Sequence, residues 1–212
     1  MLLIGQFDSP FVRRVGIAMR FYGLEFEHRP HAVFRDAELI ARFNPLRKVP
    51  TLVLDDGTVL TESTICLEIL DGRVATDAGG ARPLLPRSGP EREAGLRVCG
   101  FVVGALDKAV TLLYERVMER QPKPDWQQRC ELQLRQTLAM LERERSGQGT
   151  EFWLGTQLSH VDVAISCAIT FLDDALAGFF PDGELPALRA LAARCEAMPE
   201  FANTHQAFVV KT

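Results

Sequence analysis

The rhythm of apolar residues changes once along this chain, and that change limits the available folds more than any other feature. Up to about residue 75, short strand-like runs alternate with helix-like ones; from about residue 91 every periodic stretch is helical. Residues 76–90, TDAGGARPLLPRSGP, carry the glycine and proline density of a linker. A length of 212 residues suits one large domain or two small ones. The expected organisation is a domain at 1–75, a linker at 76–90 and an all-helical domain at 91–212.

Within the first part, Leu2-Leu3-Ile4 reads as a buried strand. Ser9-Pro10 supplies an N-cap followed by proline at the first helical position, and apolar Phe11, Val15, Ala18, Met19 and Tyr22 recur at helical spacing up to Gly23. Glu25–Arg29 reads as a strand, Asp36–Phe43 as a short helix, and Thr51–Leu54 as a third strand. The turn Asp55-Asp56-Gly57 returns the chain antiparallel through Thr58–Leu60, and Glu62-Ser63 starts a helix reaching about Asp71. The order β-α-β-α-β-β-α, with a proline just ahead of the third strand, is the layout of a thioredoxin-like domain. Beyond the linker, helices are expected at Glu91–Arg120 (closed by Pro122 and Pro124), Asp125–Arg145, Val161–Ala177 and Pro186–Met198. The third of these is apolar enough to be buried all round.

Charge and cysteine usage narrow the function classes. Lys and Arg total 24 against 28 Asp and Glu, a net charge of −4 with no basic stripe, which disfavours a nucleic-acid partner. No run approaches the ~18 apolar residues of a membrane span, and the N-terminus lacks a signal-peptide pattern. Five cysteines spaced about thirty residues apart, without a C-x-x-C pair, exclude a zinc ribbon or dithiol motif and make the cytoplasm the expected compartment. His28 and His31 have no third ligand at metal-like spacing, so no metal is expected. His160 and His205 have no nucleophile beside them. Arg13-Arg14 reads as a solvated helix face or an interface contact.

Several short pieces could carry chemistry. Read alone, Ser9 is a helix cap, Val49-Pro50 a turn before a strand, and Glu62-Ser63 the start of a helix. Taken together, Ser9-Pro10-Phe11-Val12-Arg13-Arg14-Val15, then Asn44-Pro45-Leu46-Arg47-Lys48-Val49-Pro50-Thr51-Leu52, Glu62-Ser63, Leu84-Leu85-Pro86 and Ser159-His160-Val161-Asp162 follow one another in a recognisable order. In that order and spacing the chain resembles the cytosolic glutathione S-transferase family, in the bacterial form with serine at the start of the first helix, nearly end to end.

The resemblance implies a glutathione site, a homodimer and a role in detoxification, with glutathione as co-substrate and no permanently bound cofactor. Ser9 would donate a hydrogen bond to the glutathione thiolate, the nucleophile, where the helix dipole favours the same charge. Pro50 would be cis, letting Val49 present its N–H and C=O to the cysteinyl unit as an added strand would. Lys48 would meet the glycyl carboxylate, and Glu62 and Ser63 the γ-glutamyl amine and carboxylate. Arg47 replaces a glycine common at its position. Phe7 stands where other classes place a catalytic tyrosine, and Ser9-Pro10-Phe11 where others place a cysteine, which disfavours reductive chemistry through a mixed disulfide. Only Ser9 is kept of the Ser-Ser-Cys motif of the zeta isomerases. Phe11, Phe101, Leu106 or Tyr114 would line a pocket for a small hydrophobic electrophile between the domains. Ser159 and Asp162 form a capping box whose role is folding. The resemblance leaves open a non-catalytic binding or regulatory protein of the same fold, and a glutathione-dependent peroxidase, dehalogenase or lyase.

Overall fold

The computed structural model describes residues 1–76, 80–118, 123–181 and 183–208. Residues 77–79 of the expected linker, and the expected helix end at 119–120 with Pro122, lie outside them. The chain divides into two compact units: Met1–Arg87 with Ala197–Gln206, and Ser88–Glu196. Ala197–Gln206 thus packs with the first unit, a return that a division of the sequence at 76–90 does not contain.

The first unit is a thioredoxin-like domain built from β1 (Leu2–Ile4), α1 (Pro10–Phe21), β2 (Glu27–Arg29), α2 (Ala37–Ala41), β3 (Thr51–Val53), β4 (Val59–Thr61) and α3 (Ser63–Val74). Its sheet runs β2-β1-β3-β4, with β2 parallel and β3 antiparallel to β1. The register sets Ile4 opposite Thr51, and Thr51 opposite Thr61. The end of β1, the start of β3 and the end of β4 therefore meet along one edge of the sheet. Each of those three ends leads to or from a segment singled out by sequence.

Helix α1 begins as its sequence dictates, on the Ser9 cap with Pro10 at the first position, and stops where Gly23 takes φ +65°. Expected as a solvated face or an interface contact, Arg13 and Arg14 are instead buried within the first unit, at 3% and 1% exposure. α1 is enclosed by β1, α3 and a short helix α8 (Pro199–Ala202), leaving almost no side free for water. Arg13 resolves its burial by donating from Nε to the Thr204 carbonyl and from Nη2 to the Phe201 carbonyl, both at 3.2 Å.

Part of the expected linker is likewise anchored. Leu84 and Leu85 are buried, and their amides donate to the buried Asp71 carboxylate at 3.2 and 3.3 Å. The Tyr22 hydroxyl donates to the same carboxylate and accepts from the Leu84 amide. Burial, then the adjacent Asp71 charge, push the Tyr22 phenol upward.

The second unit is all-helical: α4 (Pro90–Val117), α5 (Pro124–Ser146), α6 (His160–Ala175) and α7 (Pro186–Glu196). Proline opens α4, α5 and α7, where its missing N–H costs nothing. Helix α6 is buried nearly all round, as its composition predicts. The fully buried Asp162 starts it, accepting from the Ser159 amide at 2.8 Å, the Ser159 hydroxyl at 2.6 Å and the Trp153 amide at 2.7 Å. Buried Arg145 organises the loop ahead of it by donating to the Thr150, Glu151 and Phe152 carbonyls. Among the described residues no helix is long and apolar enough to cross a membrane.

Candidate functional site

The sheet edge gathers Ser9, Lys48, Val49, Pro50, Glu62 and Ser63 in the first unit. Ser9 follows a turn closed by its own amide, which donates to the Gln6 carbonyl at 3.2 Å. Its half-buried Oγ accepts from the Val12 amide at 3.5 Å, a long cap bond; as an acceptor there, the hydroxyl keeps its own proton, which no acceptor takes among the described residues. Phe7, in the same turn, is buried with its ring stacked on His28 at 4.0 Å. A Cβ on Gly16 would stand 2.5 Å from that ring, so the glycine admits the phenyl group. Burial raises the Asp8 carboxyl, opposed by hydrogen bonds from the Ser9 and Asp8 amides.

The Val49-Pro50 peptide is cis, as the resemblance implies. Neither the N–H nor the C=O of Val49 has a hydrogen-bond partner among the described residues. Two residues hold this segment: Gly5, missed by sequence reasoning, and Asn44, which opens the Asn44–Leu52 piece but was given no role of its own. Gly5 (φ +129°) lies so close that a Cβ there would come within 2.8 Å of the Val49 Cβ and 2.5 Å of Val12 Cγ2. A glycine directly after the first strand was the available signal. Buried Asn44 donates from Nδ2 to the Lys48 carbonyl and the Thr51 and Thr61 hydroxyls, and accepts from the Leu46 amide. Arg47 explains the usual glycine at its position: its φ is +54°, and its guanidinium reaches Glu38 at 2.6 Å.

Glu62 precedes α3 at φ +65°, another left-handed position, and makes no side-chain cap bond. Its carboxylate pairs with Lys48 Nζ at 3.2 Å, both side chains being exposed. Ser63 is buried, and its Oγ accepts from Arg14 Nη1 at 3.4 Å. Arg14 Nε is buried without a hydrogen-bond partner. A fully occluded guanidinium beside a helix N-terminus makes this corner electropositive and ready for an anion. Because Arg14 occupies a lone pair of Ser63, that hydroxyl keeps its proton for an outside acceptor.

The expected pocket residues are more scattered. Phe11 is half-buried on α1, Leu106 is buried within α4, and Tyr114 is half-buried on α4. Phe101 is exposed beneath the Arg97 guanidinium. Thirteen residues along an uninterrupted helix place Phe101 and Tyr114 about 140° apart around the axis, so they do not share a face of α4.

A thioredoxin-like sheet whose edge carries a helix-capping serine, a cis-proline with open peptide groups and a second helix start, in a chain that also holds an all-helical domain, is the architecture that the resemblance to the glutathione S-transferase family implies. Comparison with known proteins agrees. Residues 8–73 match the glutathione S-transferase N-terminal domain, and residues 124–194 its C-terminal domain. A probable glutathione S-transferase of Oryza sativa subsp. japonica is 32% identical over 92% of this chain and 84% of its own. An uncharacterized GST-like protein of Escherichia coli, YibF, is 29% identical over 82% of each chain. A solved glutathione S-transferase from Methylobacterium radiotolerans, in complex with glutathione sulfonate, superposes with a TM-score of 0.85 at 26% identity, covering 100% of this chain and 98% of its own. The chain belongs to the glutathione S-transferase family.

Proposed function

We propose that the chain binds glutathione along this sheet edge and uses Ser9 to hold the thiolate for attack on a small hydrophobic electrophile. The observation that supports the proposal is the strand register, which brings the end of β1, the start of β3 and the end of β4 together, so that the segments beside them carry the Ser9 hydroxyl, the unpartnered peptide groups of Val49 and the Ser63 hydroxyl backed by Arg14. In this reading residues 1–75 form the core of the glutathione-binding domain, joined by the returning Ala197–Gln206, and the helical domain is residues 91–196.

Glutathione's cysteinyl unit would pair with Val49 as an added strand. Its γ-glutamyl carboxylate would accept from Ser63 at the start of α3, and its ammonium would meet Glu62. Lys48 would leave its ion pair with Glu62 for the glycyl carboxylate. Exchange of that pair is cheap, because exposed ion pairs contribute about 0–1 kcal/mol. At Ser9 a hydrogen bond to the thiolate, worth about 1.5–3 kcal/mol, favours the anion by roughly one to two pK units. The sulfur then forms a bond to the electrophilic carbon as the leaving group departs with its electron pair. Phe11, half-buried on α1 next to Ser9 and Pro10, is proposed to meet the electrophile; Phe101 and Tyr114, on different faces of α4, do not line one pocket together. The protein would act in the cytoplasm, where its five buried free cysteines stay reduced, and as a homodimer.

Calorimetric titration of glutathione into wild type, Ser9→Ala and Glu62→Ala, with conjugation of an aryl halide, tests the reading. Wild type is expected to bind below millimolar glutathione. Ser9→Ala is expected to bind yet turn over about 10- to 100-fold more slowly. No binding by wild type refutes the proposal, and unchanged turnover in Ser9→Ala removes the serine from it.

A further inference from the structure

The two flanks of Ser9 are held by the same distant stretch of chain. On its N-terminal side, the turn Gln6–Ser9 leaves the amide of buried Phe7 without a backbone acceptor. The side-chain oxygen of Gln206 takes that proton at 3.1 Å, across 199 residues of sequence. On its C-terminal side, Arg13, whose amide closes the first turn of α1 onto the Ser9 carbonyl at 2.9 Å, sends its guanidinium to the Phe201 and Thr204 carbonyls. Those carbonyls lie in α8 and two residues beyond its end, in a segment fixed in the first unit by the fully buried Phe201. Thr204 is also fully buried, its hydroxyl turned back onto the Glu200 and Phe201 carbonyls.

We propose that the returning segment Pro199–Gln206 is a brace for Ser9, and that Gln206 is a positioning residue for the thiolate hydrogen bond Ser9 makes. The inference rests on the glutathione reading above and adds a residue to it. Three polar bonds to one segment fix the residue two before Ser9 and the residue four after it. The serine backbone is held by Gln6 and Arg13, but its side chain is weakly tied: among the described residues its one hydrogen bond is the long one from the Val12 amide. Ser9 Oγ thus owes its position to its neighbours more than to its own contacts. A hydrogen bond fails once donor and acceptor part beyond about 3.5 Å, so a shift of a few tenths of an ångström in the turn is enough to weaken the bond to sulfur. Releasing the Phe7 amide from Gln206 frees the turn to make that shift.

The test reads the thiolate fraction of bound glutathione at fixed pH from its ultraviolet absorbance, in the full chain. Wild type, Gln206→Met, Ser9→Ala and the double variant are compared at saturating glutathione. Gln206→Met keeps the side chain's bulk and removes its oxygen. It is expected to lower the thiolate fraction about threefold or more, and to add nothing in the Ser9→Ala background. A purely structural tail would shift the melting temperature without this dependence on Ser9. An unchanged thiolate fraction in Gln206→Met, alongside a fall in Ser9→Ala, overturns the brace alone. So does an equal fall in both backgrounds. Absence of glutathione binding by wild type overturns the site itself. Should Gln206→Met not fold, Gln206→Ala removes the same oxygen and is read in the same way.

Discussion

Replacing Asp162 with alanine is expected to cost about 2–4 kcal/mol of stability without touching the chemistry. The side chain is fully buried and accepts two backbone protons, from Trp153 at 2.7 Å and Ser159 at 2.8 Å, besides the Ser159 hydroxyl. Each buried N–H left without an acceptor costs about 1–3 kcal/mol. Part of that cost is offset, because burial opposes the charged form and raises the Asp162 carboxyl despite its hydrogen bonds. A loss near 3 kcal/mol lowers the melting temperature by on the order of 10 °C. Asp162→Asn separates the two contributions. Its carbonyl can still serve Trp153, while its amide faces the Ser159 N–H donor, so it is expected to cost about half as much as alanine. The pH dependence has a definite sign. With the folded value above the ordinary 3.8, the folded state binds the proton more tightly than the unfolded chain. Asp162's contribution is therefore fullest below that value and declines as pH rises through the raised one, a decline absent in Asp162→Asn. Urea denaturation across pH 3.5–6, with glutathione binding measured per folded molecule, checks all three points. An unchanged midpoint with lost binding would refute the folding role, and asparagine costing as much as alanine would refute the hydrogen-bond argument.

The parts of this molecule legible in the sequence are those whose cause is local. Ser9-Pro10 starts α1 because a cap and a proline act within one turn, and Ser159 with Asp162 starts α6 for the same reason. The helix boundaries fall within a few residues of the periodic pattern, and the order of strands follows from their alternation with helices. Features set by distant chain were not legible. Arg13 and Arg14 look solvated because charge usually is; their burial depends on α3 and on carbonyls some 190 residues away. Leu84-Leu85 sits in a stretch of linker composition, yet Asp71 and Tyr22, each plausible on a surface, draw it in. The candidate site divides along the same line. Ser9, Val49-Pro50 and Glu62-Ser63 were given roles as short motifs; Arg14 and Asn44 stood in the same pieces without one, and Gly5 outside them, because these three matter through shape and hydrogen bonding between elements. A lone glycine or asparagine carries no such signal until the sheet register has placed it beside residue 49.

Two further outcomes test the local physics of the site. Gly5→Ala is expected to cost about 2–4 kcal/mol and to weaken glutathione binding tenfold or more. The new Cβ meets Val12 at 2.5 Å and Val49 at 2.8 Å, so it must displace the peptide that would receive the ligand. Gly57→Ala, also at positive φ but with open space around it, serves as the control and is expected to cost about 1 kcal/mol in thermal melts and leave binding intact. Cys66, in the first turn of α3, gives an alkaline signature. Burial, reinforced by the Glu62 charge and opposed by Arg14, pushes its thiol up to about 12. Above the ordinary thiol value of 9.0 the unfolded chain loses this proton while the folded chain keeps it. The stability tied to the thiol is thus intact below that value and falls by about 1.4 kcal/mol per pH unit as pH rises toward the folded one. Cys66→Ala lacks the group, so between pH 8 and pH 10.5 it should lose less stability than wild type in urea. Parallel losses in the two proteins would mean that the Cys66 thiol ionises as readily in the fold as in the open chain, against the burial that encloses it.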